Sequence, residues 1–241
     1  MLGMPTPLRS RERTTRRSAA LAMPDLSRRS WLGLPAPLSV GSPCVGPALT
    51  PKTSPSREAI RKRYFPDVVL TTHEGKQVRF YEDLLMGKIV TLNFMYTRCA
   101  DGVCPITTNN LVQVQKIIKD RVGRNRLGRD IFMYSITLDP ERDTPDVLRE
   151  YAKMHGVGPG WFFLTGKPDD IELLRRRLGF VDPDPDLDKD KANHIGNVRY
   201  GNEVLQQWGA VPGMGQPESI ATSILYVDWP KKSARANPLT K

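Results

Sequence analysis

An α/β fold, one mixed sheet flanked by helices, is what this 241-residue sequence predicts. Two observations carry that reading. Three short, near-continuous apolar segments, KIVTLNFMY (88–96), IFMYSITL (131–138) and WFFLTG (161–166), have the length and the β-branched and aromatic content of strands buried on both faces. Alternating with them are segments opened by a proline and carrying apolar residues at helical spacing. Strands that alternate with helices build a sheet layer covered by helices, and hairpins at the two ends add antiparallel strands.

Taken in order, DVVLTT (67–72) reads as a strand, HEG (73–75) as a turn and KQVRF (76–80) as the partner in a hairpin. The first core strand follows, then a cysteine-containing loop. From Pro105 the sequence places Leu111, Val114, Ile117 and Ile118 on one helical face. GRNRLGRD (123–130) is a basic turn before the second core strand. DPERDTPDVLREYAKMHG (139–156) gives a loop and a helix, with Thr144 as N-cap, Pro145 in the first turn and Gly156 as the stop. KPDDIELLRRRLGF (167–180) is a third helix, acidic at its start and basic near its end, as the macrodipole favours; Arg175–Arg177 read as a solvated face. DPDPDLDKDKAN (182–193) reads as a solvated acidic loop. It lacks a glycine after its third Asp and has Asn193 where a calcium loop needs a bidentate Glu. HIGNVRYGNEVLQQW (194–208) reads as a hairpin turning at Gly201-Asn202, and PESIATSILYV (217–227) as a closing helix.

The formal charge of +10 invites a polyanion-binding reading, but it is unevenly placed. Residues 1–65 carry 12 Lys/Arg against 3 Asp/Glu, while residues 66–241 carry 24 against 23. The folded part is nearly neutral, so nucleic acid is not an expected partner. Residues 1–65, rich in Arg, Ser and Pro without apolar periodicity, read as a disordered leader. Within them LSRRSWLGL (26–34) has the paired arginines of a twin-arginine export signal, which places the domain in the periplasm, free or membrane-associated through the leader alone. No apolar run approaches the roughly 18 residues of a membrane helix. The expected organisation is a leader over 1–65, one domain over 66–228 and a polar tail over 229–241.

Three cysteines are too few for a disulfide framework, and Cys44 is incidental. Cys99 and Cys104 share the short stretch YTRCADGVCP at the carboxyl end of the first core strand, the usual functional edge of such sheets. Asp101-Gly102 favours a tight turn that folds Cys99 back toward Cys104. A helix N-terminus at Pro105 is expected to depress the Cys104 pKa. Two such thiols form a disulfide or jointly hold a soft metal, and the pair by itself does not choose between redox and metal work. A mixed α/β sheet with two cysteines between its first core strand and the following helix is a thioredoxin-like architecture.

FMYTRCADGVCP, SITLDPERDTPDVLREYAKMHG and NHIGNVRYGNE together resemble the Sco/SenC family over residues 65–228. The resemblance implies a thioredoxin-like domain that binds one copper ion through Cys99, Cys104 and His194, with Asp139 supporting the ligands from behind. It implies a metallochaperone, not a true enzyme, that passes copper to an acceptor such as a cytochrome c oxidase subunit. A thiol–disulfide reductant would keep its cysteine pair reduced. The family separates its cysteines by three residues, whereas Ala100, Asp101, Gly102 and Val103 make four here. A thiol–disulfide oxidoreductase is the alternative from another class, and it needs no histidine ligand. His73 and His155 read as solvated.

Overall fold

The computed structural model describes residues 55–123, 126–190 and 196–228. Its elements are α1 (Pro55–Tyr64), β1 (Val69–Thr72), β2 (Gln77–Arg79), a π-helical turn (Phe80–Leu85), β3 (Ile89–Met95), α2 (Val103–Val122), β4 (Ile131–Thr137) and α3 (Pro145–Met154). They continue with β5 (Trp161–Gly166), α4 (Pro168–Arg177), α5 (Pro185–Asp188), β6 (Asn197–Asn202), β7 (Gln207–Pro212) and α6 (Pro217–Tyr226). Among the described residues the strands form one sheet in the order β2-β1-β5-β4-β3-β6-β7.

The three apolar runs are adjacent and parallel at the centre: β3 pairs with β4 from Ile89↔Ile131 to Met95↔Thr137, and β4 pairs with β5 from Met133↔Trp161. Every residue of β3 is buried, as a strand flanked by β4 and β6 and covered on both faces requires. The β1–β2 and β6–β7 hairpins extend the sheet antiparallel at its two edges. Helix α2 buries Thr107, Thr108, Leu111, Val114, Gln115 and Ile118, a stripe at three- and four-residue spacing. It also packs against α6. Thr144 caps α3 by accepting from Val147 N–H at 3.4 Å, with Pro145 at the start. Because β3 and β4 run parallel, the loops leaving their carboxyl ends emerge side by side, and Leu138 N–H donates to Met95 C=O (2.8 Å) just beyond the paired strands.

Several expectations change. Among the described residues a helix, α1 over Pro55–Tyr64, already stands ahead of residue 66. Although polar in composition, α1 is fastened by an Arg57–Glu203 ion pair, and Phe65 at its end is buried with its ring 4.6 Å from that of Trp208. Residues 1–54, with the twin-arginine motif and Cys44, lie outside the described residues, as does the tail 229–241. Gly201 and Asn202 are strand residues, and the chain reverses through Glu203–Gln206. Gly201 lies under the Trp208 ring, where a Cβ would come 2.1 Å from the indole. Asn202 instead holds the turn, its Oδ1 accepting from Val204 N–H (3.1 Å) and Leu205 N–H (3.2 Å).

The arginine run is not uniformly solvated. Arg175 is buried and forms a bidentate pair with buried Asp188, both bonds 2.8 Å, and a further pair with Glu172. The acidic loop is therefore organised, folding into the short α5 with Asp188 as its inward anchor. Two of the histidines are fastened too. His73 Nδ1 accepts from Phe163 N–H (3.1 Å), and His155 Nδ1 lies 2.8 Å from Asn109 Oδ1 with its ring 4.4 Å from that of Tyr151. Burial lowers the pKa of both.

Candidate functional site

Beyond Met95 the chain leaves the sheet, turns through Thr97–Asp101, and enters α2 from Gly102, whose φ of 72° is in the left-handed region natural to glycine. This is the turn that Asp101-Gly102 predicts. The helix starts two residues earlier than expected, so Cys104 is its second residue and not its cap. The first N–H groups of a helix have no partner within it. Here the Cys104 N–H donates to Cys99 Sγ at 3.4 Å, so a sulfur takes the place of a capping oxygen. Tyr96 N–H in turn donates to Cys104 Sγ at 3.5 Å. Both thiols are free, Cys104 almost completely buried and Cys99 half-buried.

The loop is braced from the β4 side. Asp143, only 1 % exposed, accepts from Thr97 N–H (3.1 Å), Thr97 Oγ1 (2.5 Å) and Thr137 Oγ1 (2.6 Å). Thr137 Oγ1 also accepts from Asp139 N–H at 2.9 Å. One carboxylate thereby ties the segment before Cys99 to the end of β4 and to the loop that starts α3.

The electrostatics correct an expectation. Burial pushes the Cys104 thiol up to about 12, and the neighbouring Cys99 and Asp143 add to the rise against the hydrogen bond from Tyr96 N–H. Burial outweighs the helix N-terminus because the sulfur lies inside the protein rather than at the solvated end of the helix. The phenols of Tyr96 and Tyr151 are likewise pushed up to about 12, first by burial and then in part by the two cysteines. Tyr151 is anchored by Thr108, the two hydroxyls lying 3.2 Å apart. The buried Cys104 thiol thus sits among two phenols and one carboxylate, surroundings that favour its neutral form.

Of the anticipated residues, Cys99 and Cys104 are brought together. Asp139 lines a cleft of about 810 Å³ shared with the start of α4 and the acidic loop, while Asp143, four residues on, is the carboxylate that reaches the cysteine loop. His194 lies outside the described residues. The chain resumes at Gly196, whose C=O accepts from Gly213 N–H (2.8 Å), and Gly213 and Gly215 C=O accept from Asn110 Nδ2 at 3.2 and 3.3 Å. Gly213 also packs so closely on Thr107 that a Cβ there would come 2.8 Å from its methyl group. Among the described residues no three His, Cys, Asp or Glu side chains are grouped closely enough to hold a metal ion.

Comparison with known proteins settles the lineage. The SCO1/SenC family profile matches residues 57–224. The chain belongs to the SCO1/SenC family. The SCO2-like protein RP587 of Rickettsia prowazekii is 31% identical over 116 residues, covering 48% of this chain and 52% of that protein. The mitochondrial SCO1 homolog 1 of Arabidopsis thaliana is 36% identical over 107 residues, 44% of this chain and 29% of the relative. The match with RP587 spans about half of that relative's length. Among solved structures, Arabidopsis thaliana ScoI with copper bound superposes with a TM-score of 0.50 at 25% identity, covering 65% of this chain and 92% of that one. The mixed sheet flanked by helices is thus the thioredoxin-like Sco architecture, and the SCO1/SenC match begins within α1.

Proposed function

We propose that this protein is a copper-binding metallochaperone in which Cys99 and Cys104 hold the ion, His194 completes the site, and the cargo passes to a copper enzyme such as a cytochrome c oxidase subunit. The observation that carries this reading is the placement of two free thiols on one helix start, Cys104 N–H pointing at Cys99 Sγ from 3.4 Å, on a loop braced by a buried carboxylate. Two soft donors held together at a sheet edge suit Cu(I). Family membership and the copper-bound Arabidopsis relative support the same choice of metal. For His194 the support is the path of the chain, since Gly196 is tied through Gly213 to Asn110 on the helix that carries Cys104.

On binding, the ion would displace the thiol protons. The half-exposed Cys99 is the sulfur an acceptor's ligand reaches first, so exchange begins there and release from the buried Cys104 follows. If a partner disulfide oxidises the pair, two thiols lose two electrons and two protons, the partner gains them as two thiols, and the copper ligands are lost. A thiol–disulfide reductant restores the site. Export through the leader would set this chemistry in the periplasm, where disulfides persist.

The same asymmetry, one accessible and one buried sulfur, also suits a thiol–disulfide oxidoreductase in which Cys99 attacks and Cys104 resolves. Titration of the fully reduced protein with Cu(I), beside Cys99→Ser, Cys104→Ser and His194→Ala, separates the readings. One tight equivalent that either serine variant abolishes and His194→Ala weakens is the expected result. Full affinity in His194→Ala removes the third ligand, and no tight copper in the parent protein leaves the oxidoreductase.

A further inference from the structure

Away from the cysteines, α1, the end of α4 and the outer strands enclose a cavity of about 280 Å³. Its walls include Ile60, Phe65, Leu178 and Trp208, with two cations, Arg177 and Arg199. Among the described residues no carboxylate lines it. Arg177 spends its Nη1 on Arg63 C=O (3.1 Å). Arg199 is stacked on the Phe180 ring at 5.2 Å and donates from Nη2 to Gly179 C=O (2.9 Å), yet its Nε–H is buried with no acceptor among the described residues. The indole N–H of Trp208 is buried without one as well.

Such an arrangement costs the fold. A guanidinium against apolar walls ordinarily meets a carboxylate, and a buried N–H ordinarily meets an oxygen. The molecule does this elsewhere, pairing Arg57 with Glu203, Arg126 with Asp228 and Arg175 with Asp188. At Arg199 burial lowers the pKa with no carboxylate to oppose it. An apolar chamber with surplus positive charge and spare donors has the chemistry of a ligand site that lacks only its anion.

We propose that this cavity binds a small soluble organic anion, a carboxylate or sulfonate on an aromatic or branched apolar body, with Arg199 holding the anionic group and Phe65, Leu178 and Trp208 enclosing the body. The size of the cavity limits the ligand to one or two rings. Because the site is built on α1 and the β6–β7 hairpin, it is separate from the cysteine loop and independent of the copper reading. The capture of the anion would also bind α1 more firmly to the sheet, since Ile60 and Phe65 form one wall.

The test uses 2-naphthoate and its neutral isostere 2-naphthamide as probes of the full chain. Indole resonances of ¹⁵N-labelled protein locate binding, with Trp208→Phe assigning the Trp208 signal. Naphthoate is expected to bind saturably, shift that signal, and bind at least about tenfold more tightly than the amide, the contribution of one charge-assisted pair. Arg199→Met should erase the preference while retaining the amide's affinity, and Arg199→Lys should keep part of it. Equal affinity for the two probes, an unchanged preference in a folded Arg199→Met, or saturable binding that leaves the Trp208 signal unmoved would each overturn the assignment. If Arg199→Met does not fold, the comparison of the two probes on the parent chain decides alone.

Discussion

Replacing Asp143 isolates what braces the cysteine loop. Its two oxygens take three hydrogen bonds, Oδ2 from Thr97 N–H and Thr137 Oγ1, and Oδ1 from Thr97 Oγ1, at 1 % exposure. In Asp143→Asn the amide oxygen can keep both bonds at the Oδ2 position, and the amide N–H₂ can donate to a Thr97 hydroxyl that turns to accept. The three contacts survive and only their charge assistance is lost, a cost of about 1 kcal/mol. Asp143→Ala leaves a buried backbone N–H without an acceptor and two hydroxyls to find new ones. With one unsatisfied donor at about 1–3 kcal/mol and two bonds lost at about 0.5–1.5 kcal/mol each, the expected loss is about 2–6 kcal/mol. Urea unfolding at neutral pH measures both, and Cu(I) titration of the same variants reports whether the loop still presents Cys99. Equal losses for Asn and Ala would mean that the charge, not the hydrogen-bond geometry, holds the loop. A loss under about 1 kcal/mol for Ala would refute the brace altogether.

Arg175→Met should leave the buried Asp188 without its bidentate partner and cost about 3–5 kcal/mol, with loosening of the acidic loop visible by hydrogen exchange; a stability within about 1 kcal/mol of the parent would contradict it. Gly201→Ala should displace the Trp208 ring, since the new Cβ would stand 2.1 Å from it, and lower stability by about 1–3 kcal/mol with a change in tryptophan emission; unchanged emission and stability would refute the contact. Because burial raises the Cys104 thiol from its ordinary 9.0 to about 12, the folded chain keeps a proton that the unfolded chain releases. The stability this confers is fully present below the unfolded value and is lost as pH rises toward the folded one. Stability measured between about pH 8 and about pH 10 should therefore fall less steeply in Cys104→Ala than in the parent, and equal slopes would contradict it.

What the sequence made legible followed from strong local signals. KIVTLNFMY, IFMYSITL and WFFLTG are apolar over their whole length, so their burial at the sheet centre needed no tertiary information. Thr144-Pro145 marked its helix start by chemistry alone. The Cys99–Cys104 juxtaposition was legible because a short turn leaves little other choice. Where a residue's role is set by a distant partner, the local pattern misled. PSREAIRKRY looks like leader because the Glu203 that fastens Arg57 lies 146 residues away. Gly201-Asn202 looks like a turn because glycine's use there is to admit an indole from the next strand. Asp139 and Asp143 are equivalent acids in DPERDTP until the parallel pairing of β3 and β4 brings Thr97 beside the second of them. Arg175 could not be told from Arg176 and Arg177 without α5 folding back on it. Asp143 could have been suspected from its neighbours, a threonine ending one strand and another just past its parallel partner.

The Arg57–Glu203 clasp also fixes an orientation. Glu203 N–H donates to Lys88 C=O, immediately before β3, whereas the thiols follow the opposite end of that strand. Seven strand residues at about 3.3 Å each put more than 20 Å between the two ends. The cysteine-bearing end of the sheet therefore lies opposite the end to which α1 is clasped.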